Sequence, residues 1–465
     1  MVTGQYKLAF IKKYVQDHVL FKIQNQPYIH IDDETYPMES DKVQYHLCGE
    51  YQEAFSEMAS KKTLSENLLS HVHHKEDIRS FDRAYKRCMR LEDKLIYDLC
   101  DGNVIEITEA GYQKTSKKDQ GYLNLFKKDT MVKQTHPETT DESLIEMIQE
   151  LTQIKSEDKL KVYVLWLVAS FFPDLKTPIL MLLGEQGSGK SVLSELTKRI
   201  VDPSTNDKQH SIKKEHDFAI VMRDNYMTLF DNLSNLKSEI SDAMCQSVSG
   251  GQFSTRKLYT TDTTLSIDMQ AKMILNGITI SNTKPDLLER SILLRLEKLT
   301  QDTLKNEETI ESKFKEKLPK ILHRIFTVIS GVFKTLPEHE VSTSLRMNDF
   351  ARYAVAIGEQ LEISKEEVIR LLEENQKEVN EDVYDDPLFE GLIKVLDERN
   401  NKFHGTASDL LKDLKPLHLQ GLPGAPNSLS AKLTRNKHNL KQIGITFEKR
   451  KESSGKRIIH MEKQE

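Results

Sequence analysis

The sequence predicts an α/β core with a mostly parallel sheet, preceded by an α+β domain and followed by a helical lid and a winged helix. Three observations predict this order. The apolar segment Ile179–Leu183 runs into Gly184-Glu-Gln-Gly-Ser-Gly-Lys-Ser191 and then into helix-compatible sequence, which is the strand, glycine loop, helix order of a phosphate-binding unit. Further short apolar runs at Tyr226–Phe230, Lys272–Leu275 and Ser291–Leu296 supply the other strands. Beyond Pro387, three helical patterns precede two short strand patterns, the layout of a winged helix.

Four domains follow along the chain. Residues 1–145 mix short strand and helix patterns and end in the polar, turn-rich stretch Lys127–Ser143, which reads as a linker. Within them, Lys94–Cys100 and Asn103–Glu109 alternate as two strands joined by Asp101-Gly102, a favourable hairpin turn. Residues 146–300 form the core. Its longest apolar run, Val162–Phe172, is about half of the roughly 20 residues needed to cross a bilayer and reads as a buried helix. Residues 301–385 lack glycine punctuation over most of their length and read as a helical lid and connector. In residues 386–465 the expected helices are Leu388–Asn400, Ala407–Leu414 and Ser430–Ile443, and the strands are Ile445–Arg450 and Lys456–Met461.

Composition sets outer limits. A chain of 465 residues with 38% hydrophobic and 30% charged residues fits a soluble protein of several domains. The N-terminus lacks the basic and apolar pattern of a secretion signal, so a cytoplasmic location without membrane contact is expected. Cys48, Cys88, Cys100 and Cys245 are widely spaced and read as reduced structural thiols. His71, His73 and His74 are close in sequence, but no second ligand pair lies at metal spacing from them. The net charge of -6 conceals a basic tail: Ser428–Glu465 holds ten Lys and Arg residues against four Glu. A basic end on an acidic chain favours local contact with a polyanion.

The glycine loop carries the sharpest chemistry. Gly184, Gly187 and Gly189 permit a tight turn whose amides, with those of Glu185, Gln186 and Ser188, surround phosphates beside a helix N-terminus. Lys190 would neutralise the β- and γ-phosphates of ATP, and Ser191 would ligate Mg²⁺. Met227–Phe230 ends in Asp231, placed to hold Mg²⁺ through water, and Asn232 follows. An amide cannot take a proton, so the general base stays open between Asp231, Glu239, Glu185 and water positioned without a strong base. Met273–Leu275 ends in Asn276, a polar group suited to hold the attacking water or the γ-phosphate. Pro285–Arg290 reads as a short helix presenting Arg290 at a subunit edge, with Arg295 as the competing cation.

Two segments are candidates for nucleic-acid contact. Between the second and third strands, Phe253–Tyr259 and Leu265–Met269 read as an inserted hairpin. There Arg256 and Lys257 would face phosphates and Tyr259 would stack on a base. In the tail, a helix bearing Lys432, Arg435, Lys437, His438 and Lys441 would enter a major groove while Lys449 meets backbone. A solvated basic face on a protein-binding domain fits the same residues.

The set formed by the glycine loop, Phe230-Asp-Asn-Leu-Ser234, Gly250–Tyr259, Ile274-Leu-Asn-Gly277 and Pro285–Arg290 resembles the AAA+ replication initiator helicases of mobile elements. Within these it is most similar to the initiators of staphylococcal phage-inducible pathogenicity islands, and more distantly to minichromosome maintenance helicases. The resemblance covers about residues 95–360. It implies a ring, usually a hexamer, that binds ATP between subunits and moves 3′ to 5′ on one DNA strand after recognising and melting a cognate origin. It further implies that Arg290 acts on the neighbour's ATP and that Arg346, in Leu345–Phe350, is a second sensor of the γ-phosphate. Element-encoded accessory proteins are the expected further partners, with residues 1–145 as a collar or docking region. Two other readings remain: an origin-binding initiator that uses ATP as an assembly switch, which Asn232 favours, and a P-loop transcriptional regulator, against which the inserted hairpin argues.

Overall fold

The structure, a computed structural model, describes the chain except residues 1, 24–25, 32–33, 74–77, 118–121, 126–129, 153, 206–207, 211, 213, 232–235, 257–263, 269–270, 278–283, 299–306, 344, 385–386, 418, 420–421, 452–456 and 465.

The N-terminal unit contains helix α1 (Val2–Asp17), strands β1 (Val19–Ile23), β2 (Gln26–Ile31) and β3 (Glu34–Pro37), helices α2 (Asp41–Phe55) and α3 (Lys61–His73), and strand β4 (Arg79–Phe81). The strands pair in the order β3-β2-β1-β4. Side chains from Phe10 to Val72 close a core of their own. The Ser40 hydroxyl accepts from the Val43 amide and starts α2.

A second, antiparallel sheet comprises β5 (Cys88–Arg90), β6 (Leu95–Asp98), β7 (Asn103–Thr108) and β8 (Gly111–Ser116) in sequential order. It includes the expected hairpin, with Leu95 opposite Ile107 and Asp98 opposite Val104. The domain boundary expected at residue 145 meets no break in packing. Cys88, Leu95, Tyr97, Ile105 and Ile107 belong to the same hydrophobic core as residues 144–372. The inner side chains of this sheet are apolar enough to need cover, and the core helices supply it. The core of the N-terminal unit ends at Val72 and the shared core begins at Cys88, and a small cluster of Phe21, Ile23 and Leu123 joins the two regions.

The central sheet is built from β9 (Ile179–Leu183), β10 (Gln209–His210), β11 (Met227–Asp231), β14 (Lys272–Asn276) and β15 (Ser291–Arg295). Its order is β10-β11-β14-β9-β15 and every pairing is parallel. Strand β9 shows why these strands read as unbroken apolar runs: Leu180 and Leu182 enter one core, while Ile179, Met181 and Leu183 enter the other. A parallel sheet covered on both faces has no polar side to offer. One cover contains α4 (Leu144–Leu151), α5 (Glu157–Ala169) and α6 (Lys190–Val201); the other contains α7 (Glu215–Asp224) and α8 (Ser238–Val248). The two-residue β10 escaped the sequence reading because so short a strand has no period.

The inserted hairpin is present as β12 (Gln252–Arg256) and β13 (Thr264–Asp268), paired antiparallel with Arg256 opposite Thr264. After the short helix α9 (Pro285–Leu288) come the lid helices α10 (Glu307–Thr335), α11 (Asn348–Gln360) and α12 (Lys365–Tyr384). The lid also completes the sheet edge. Asn375 of α12 accepts from the Leu293 amide at 3.0 Å and donates to the Leu293 carbonyl at 2.7 Å, as a neighbouring strand would.

The last unit contains α13 (Pro387–Glu398), β16 (Lys402–Thr406), α14 (Ala407–Leu414), α15 (Pro426–Arg435), α16 (Lys437–Gln442), β17 (Ile445–Lys451) and β18 (Arg457–Lys463). Its three-stranded sheet has the order β16-β18-β17, and its core is separate. Two details differ from expectation. Strand β16 lies between two expected helices, where no element was expected, and the helix expected over 430–443 is interrupted at Asn436, whose amide nitrogen Nδ2 bonds the Lys432 carbonyl at 3.0 Å and closes α15.

One buried ionic cluster ties several elements together. Asp202, just past α6, receives Lys198 Nζ at 2.9 Å, Arg87 Nε at 3.1 Å and the Met227 amide at 3.0 Å. Burial alone would raise the Asp202 carboxyl, but Lys198, Arg87 and the amide together hold it at about 2. Because this folded value lies below the ordinary 3.8, the carboxylate's stabilisation is complete above that pH and is lost as pH falls towards 2. Asp202→Asn is expected to cost about 3–5 kcal/mol in denaturant unfolding at pH 7, since two buried cations lose their counter-charge. The gap between wild type and variant should narrow on acidification over that window; a constant gap would contradict the assignment.

Candidate functional site

The glycine loop lies at the C-terminal edge of the parallel sheet, between β9 and α6. Gly184 (φ 147°), Gly187 (φ 82°) and Gly189 (φ 81°) all occupy the left-handed half of backbone space. At Gly184 space is also lacking, because a Cβ would run into the Leu296 carbonyl oxygen and the Ser188 hydroxyl. Gly189 is the N-cap of α6, so the helix begins at Lys190.

Lys190 is buried, and its Nζ donates to the carbonyls of Gly184 and Glu185 at 2.7 Å each and to Ser188 Oγ at 3.2 Å. Its ammonium is thus held inside the loop by the loop's own oxygens. Burial lowers its pKa, opposed by the charge of Asp231. Ser188 is fully buried, whereas Glu185, Gln186 and Gly187 face solvent. The Glu185 carboxylate meets Lys298 at 3.5 Å and is largely exposed.

Three separate strand and helix ends converge beside this lysine. Asn276, the last residue of β14, donates from Nδ2 to Asp231 Oδ1 at 2.6 Å and to Ser191 Oγ at 3.2 Å. Parallel pairing of β11, β14 and β9 brings this about, since Phe230 sits opposite Leu275 and Asn276 opposite Leu182. A hydroxyl and a carboxylate joined in this way are oxygen donors of the kind Mg²⁺ takes. Asn276 itself is buried, so its amide is held at this junction. Asn232 lies outside the described residues.

The two candidate arginines occupy the opposite edge. Arg290 directly precedes β15, whose first residue Ser291 pairs with Ile179 and whose last, Arg295, pairs with Leu183 at the loop end. At about 3.3 Å per residue, Arg290 stands roughly 16 Å down the sheet from that end. It bonds Ser249 Oγ at 2.7 Å and Asp286 at 3.4 Å. Arg346 meets the same Asp286 at 2.5 Å and Glu289 at 2.7 Å. Both therefore share one acidic anchor away from their own glycine loop, while Arg295 is exposed at the loop end.

Of the nucleic-acid candidates, Lys257, Tyr259 and the side chain of Arg256 lie outside the described residues. In the tail, the break at Asn436 separates Lys432 and Arg435, on α15, from Lys437 and Lys441, on α16, so they do not form one continuous basic helix face as expected. Lys437, Lys441 and Lys449 are exposed, and Lys449 reaches Ser430 Oγ across to α15. Arg450 pairs with Glu448 at 2.6 Å, which removes part of the basic excess of β17. The four thiols are free; burial raises those of Cys88, Cys100 and Cys245 to about 12, which keeps them protonated and inert. Among the described residues, no helix is long and apolar enough to cross a membrane.

Two family models match the chain in succession. Residues 145–372 match the actinomycete integrative conjugative element replication protein, and residues 389–465 match the C-terminal domain of the same RepA protein. The chain belongs to this family of mobile-element replication proteins. The first match takes in the glycine loop, Asp231, Asn276 and both arginines, and the second takes in the basic tail. RepA membership meets the expectation of a mobile-element replication protein. No curated protein matches the chain. Two solved structures of similar course are the A form apo structure of the NrS-1 C-terminal region, and a second A form apo structure described as residues 305–718 of that protein. The first is 11% identical with a TM-score of 0.43 and covers 98% of both chains; the second is 9% identical with a TM-score of 0.40 and covers 97% of this chain and 99% of the other. The likeness is too slight to carry a residue's role across.

The crowding at Gly184 is open to a direct test. Gly184→Ala should lower thermal stability more than Gly187→Ala, because both pay the left-handed backbone cost of about 1–2 kcal/mol but only the first also collides with backbone. Equal melting temperatures for the two variants would contradict this geometry.

Proposed function

We propose that the chain is a Mg·ATP-dependent DNA helicase that initiates replication of its mobile element. The observation that carries this reading is the convergence of Ser191, Asp231 and Asn276 beside Lys190 at one edge of the parallel sheet. The site fits a nucleotide triphosphate: loop amides and Lys190 for the phosphates, Ser191 and Asp231 for Mg²⁺, Asn276 for the attacking water or γ-phosphate. The core is read as AAA+ and the last unit as a winged helix, with the inserted hairpin facing single-stranded DNA and α15, α16 and β17 facing duplex origin DNA.

Arg290 and Arg346 are then groups supplied to a neighbouring subunit's nucleotide, which makes a ring, most simply a hexamer, the working form. Their position at the edge away from their own glycine loop supports this. In keeping with the motif resemblance, movement is 3′ to 5′, as in the initiators of staphylococcal pathogenicity islands. A second reading, favoured by the amide at Asn232, keeps the ATP site but uses it to assemble the protein on the origin without processive unwinding.

The decisive experiment follows ATP turnover and separation of a 3′-tailed fork. Lys190→Ala and Arg290→Ala should each lose turnover, Arg290→Ala by on the order of 10³-fold or more. Mixing the two inactive variants should restore part of it, since some interfaces then pair an intact loop with an intact Arg290. Absence of recovery would sink the shared site, and turnover by wild type without strand separation would give the lead to the assembly switch.

Asn276→Ala should lower kcat by about 10²–10³-fold with little change in nucleotide affinity, read by single-turnover hydrolysis and nucleotide titration. Loss of nucleotide binding instead would show that Asn276 only supports the loop. Affinity for duplex DNA should fall steeply with salt, and neutralising Lys437 and Lys441 should flatten that slope by about two phosphate contacts. An unchanged slope would remove α16 from the DNA-binding surface.

A further inference from the structure

The N-terminal unit holds a cluster of ligand side chains that has no part in the phosphate-loop site. His18 follows α1 directly, while His46 and Glu50 stand one helical turn apart on α2, so that both reach the same side. His18 Nε2 and His46 Nε2 each lie 3.7 Å from Glu50 Oε1. The three ligand atoms all fall within 4.8 Å of one another. Four-coordinate zinc, with bonds of about 2.0–2.1 Å, separates its ligand atoms by roughly 3.3 Å, so small side-chain adjustments close the set.

The remaining ring nitrogens are already used. His18 Nδ1 lies 2.9 Å from the Tyr14 carbonyl oxygen, and His46 Nδ1 lies 3.0 Å from the Tyr14 hydroxyl. A carbonyl can only accept, so the His18 proton sits on Nδ1 and, in the neutral ring, the Nε2 lone pair faces the Glu50 carboxylate. Two lone-pair donors facing each other in this way suit a metal ion between them. Tyr14 is buried, and its ring lies 4.3 Å from that of His18, which limits the imidazole's freedom. One residue thus orients both histidines, the outer-shell arrangement that fixes tautomer and direction in metal sites. The ligands themselves remain partly exposed, with side chains 14%, 24% and 38% accessible for His18, His46 and Glu50, so an ion can enter and a fourth position faces solvent.

We propose that His18 Nε2, His46 Nε2 and Glu50 bind one zinc-class divalent transition ion, with Tyr14 as the positioning residue for both imidazoles. Two imidazoles and one carboxylate suit Zn²⁺ among the common ions, while Mg²⁺ and Ca²⁺ prefer all-oxygen sets. Binding pins the end of α1 to α2, so the ion stabilises the N-terminal unit by mass action.

The test uses the full chain, stripped with chelator, reloaded with Zn²⁺ and dialysed, with bound metal measured by elemental analysis and affinity by competition with a chromogenic chelator. Wild type should retain one more equivalent than His18→Ala and His46→Ala; ions held at Ser191 and Asp231 form a background common to all. His71→Ala should retain the full amount. Tyr14→Phe keeps the carbonyl but loses the hydroxyl, and should weaken binding by about 10–100-fold. Equal zinc in wild type and His18→Ala, or loss caused by His71→Ala, would overturn the site. Should circular dichroism show either alanine variant unfolded, Glu50→Gln and Tyr14→Phe decide, and unchanged affinity in both would equally overturn it.

Discussion

The carboxylate of Asp202 is the constraint on which the positions of the other elements depend. A fully buried charge is costly unless it is paired, and here Lys198, Arg87 and the Met227 amide all converge on it. Lys198 belongs to the helix that begins at the glycine loop, and Met227 opens the strand that ends at Asp231. Arg87 also bonds the carbonyls of Asp98, Val132 and Pro203, so it draws the antiparallel sheet and the segment after it onto the same point. The two strand and helix ends that meet at Ser191 and Asp231 are thus fixed at their far ends by one ionic cluster.

From that fixed base, the parallel register does the rest. Strands β11 and β14 carry their polar termini, Asp231 and Asn276, to one edge, and Asn276 joins that carboxylate to the Ser191 hydroxyl of α6. The other edge gathers Asp286 with Arg290 and Arg346. The lid is held to the sheet by Asn375, which occupies the hydrogen-bonding positions of Leu293 that an added strand would take. Movements of the lid relative to the sheet must therefore break or carry this pair.

The central sheet was legible because strands buried on both faces must be apolar throughout, and because the glycine spacing of the loop has few other uses. Asp231 and Asn276 could be named from their places after such strands, although their direct bond could not. The partnership of Arg290 with Arg346 was invisible, since it passes through Asp286 and depends on how α9 packs beside the lid. Strand β16 was missed because Lys402–Thr406 has one buried side chain among five and gains its identity only by pairing with β18. The shared core of residues 88–116 with the lid was missed for the same reason, being made of contacts between Tyr112 and His323 or Ser330 and Thr108, more than two hundred residues apart. His18 and His46 belong to this class too. Their spacing follows no local motif, and only the packing of α1 on α2 brings them together.

In the shared-site arrangement proposed above, a protomer whose loop lies at one edge and whose arginines lie at the other has two unlike surfaces to join, so its copies would associate head to tail. Such contacts have no twofold axis, and a pair of copies always leaves one loop and one set of arginines unmatched. Assembly then ends only when the rotation between neighbours returns the chain of copies to its start. The angle between successive subunits, set by packing at that one repeated joint, decides whether the product is a closed circle or an open spiral.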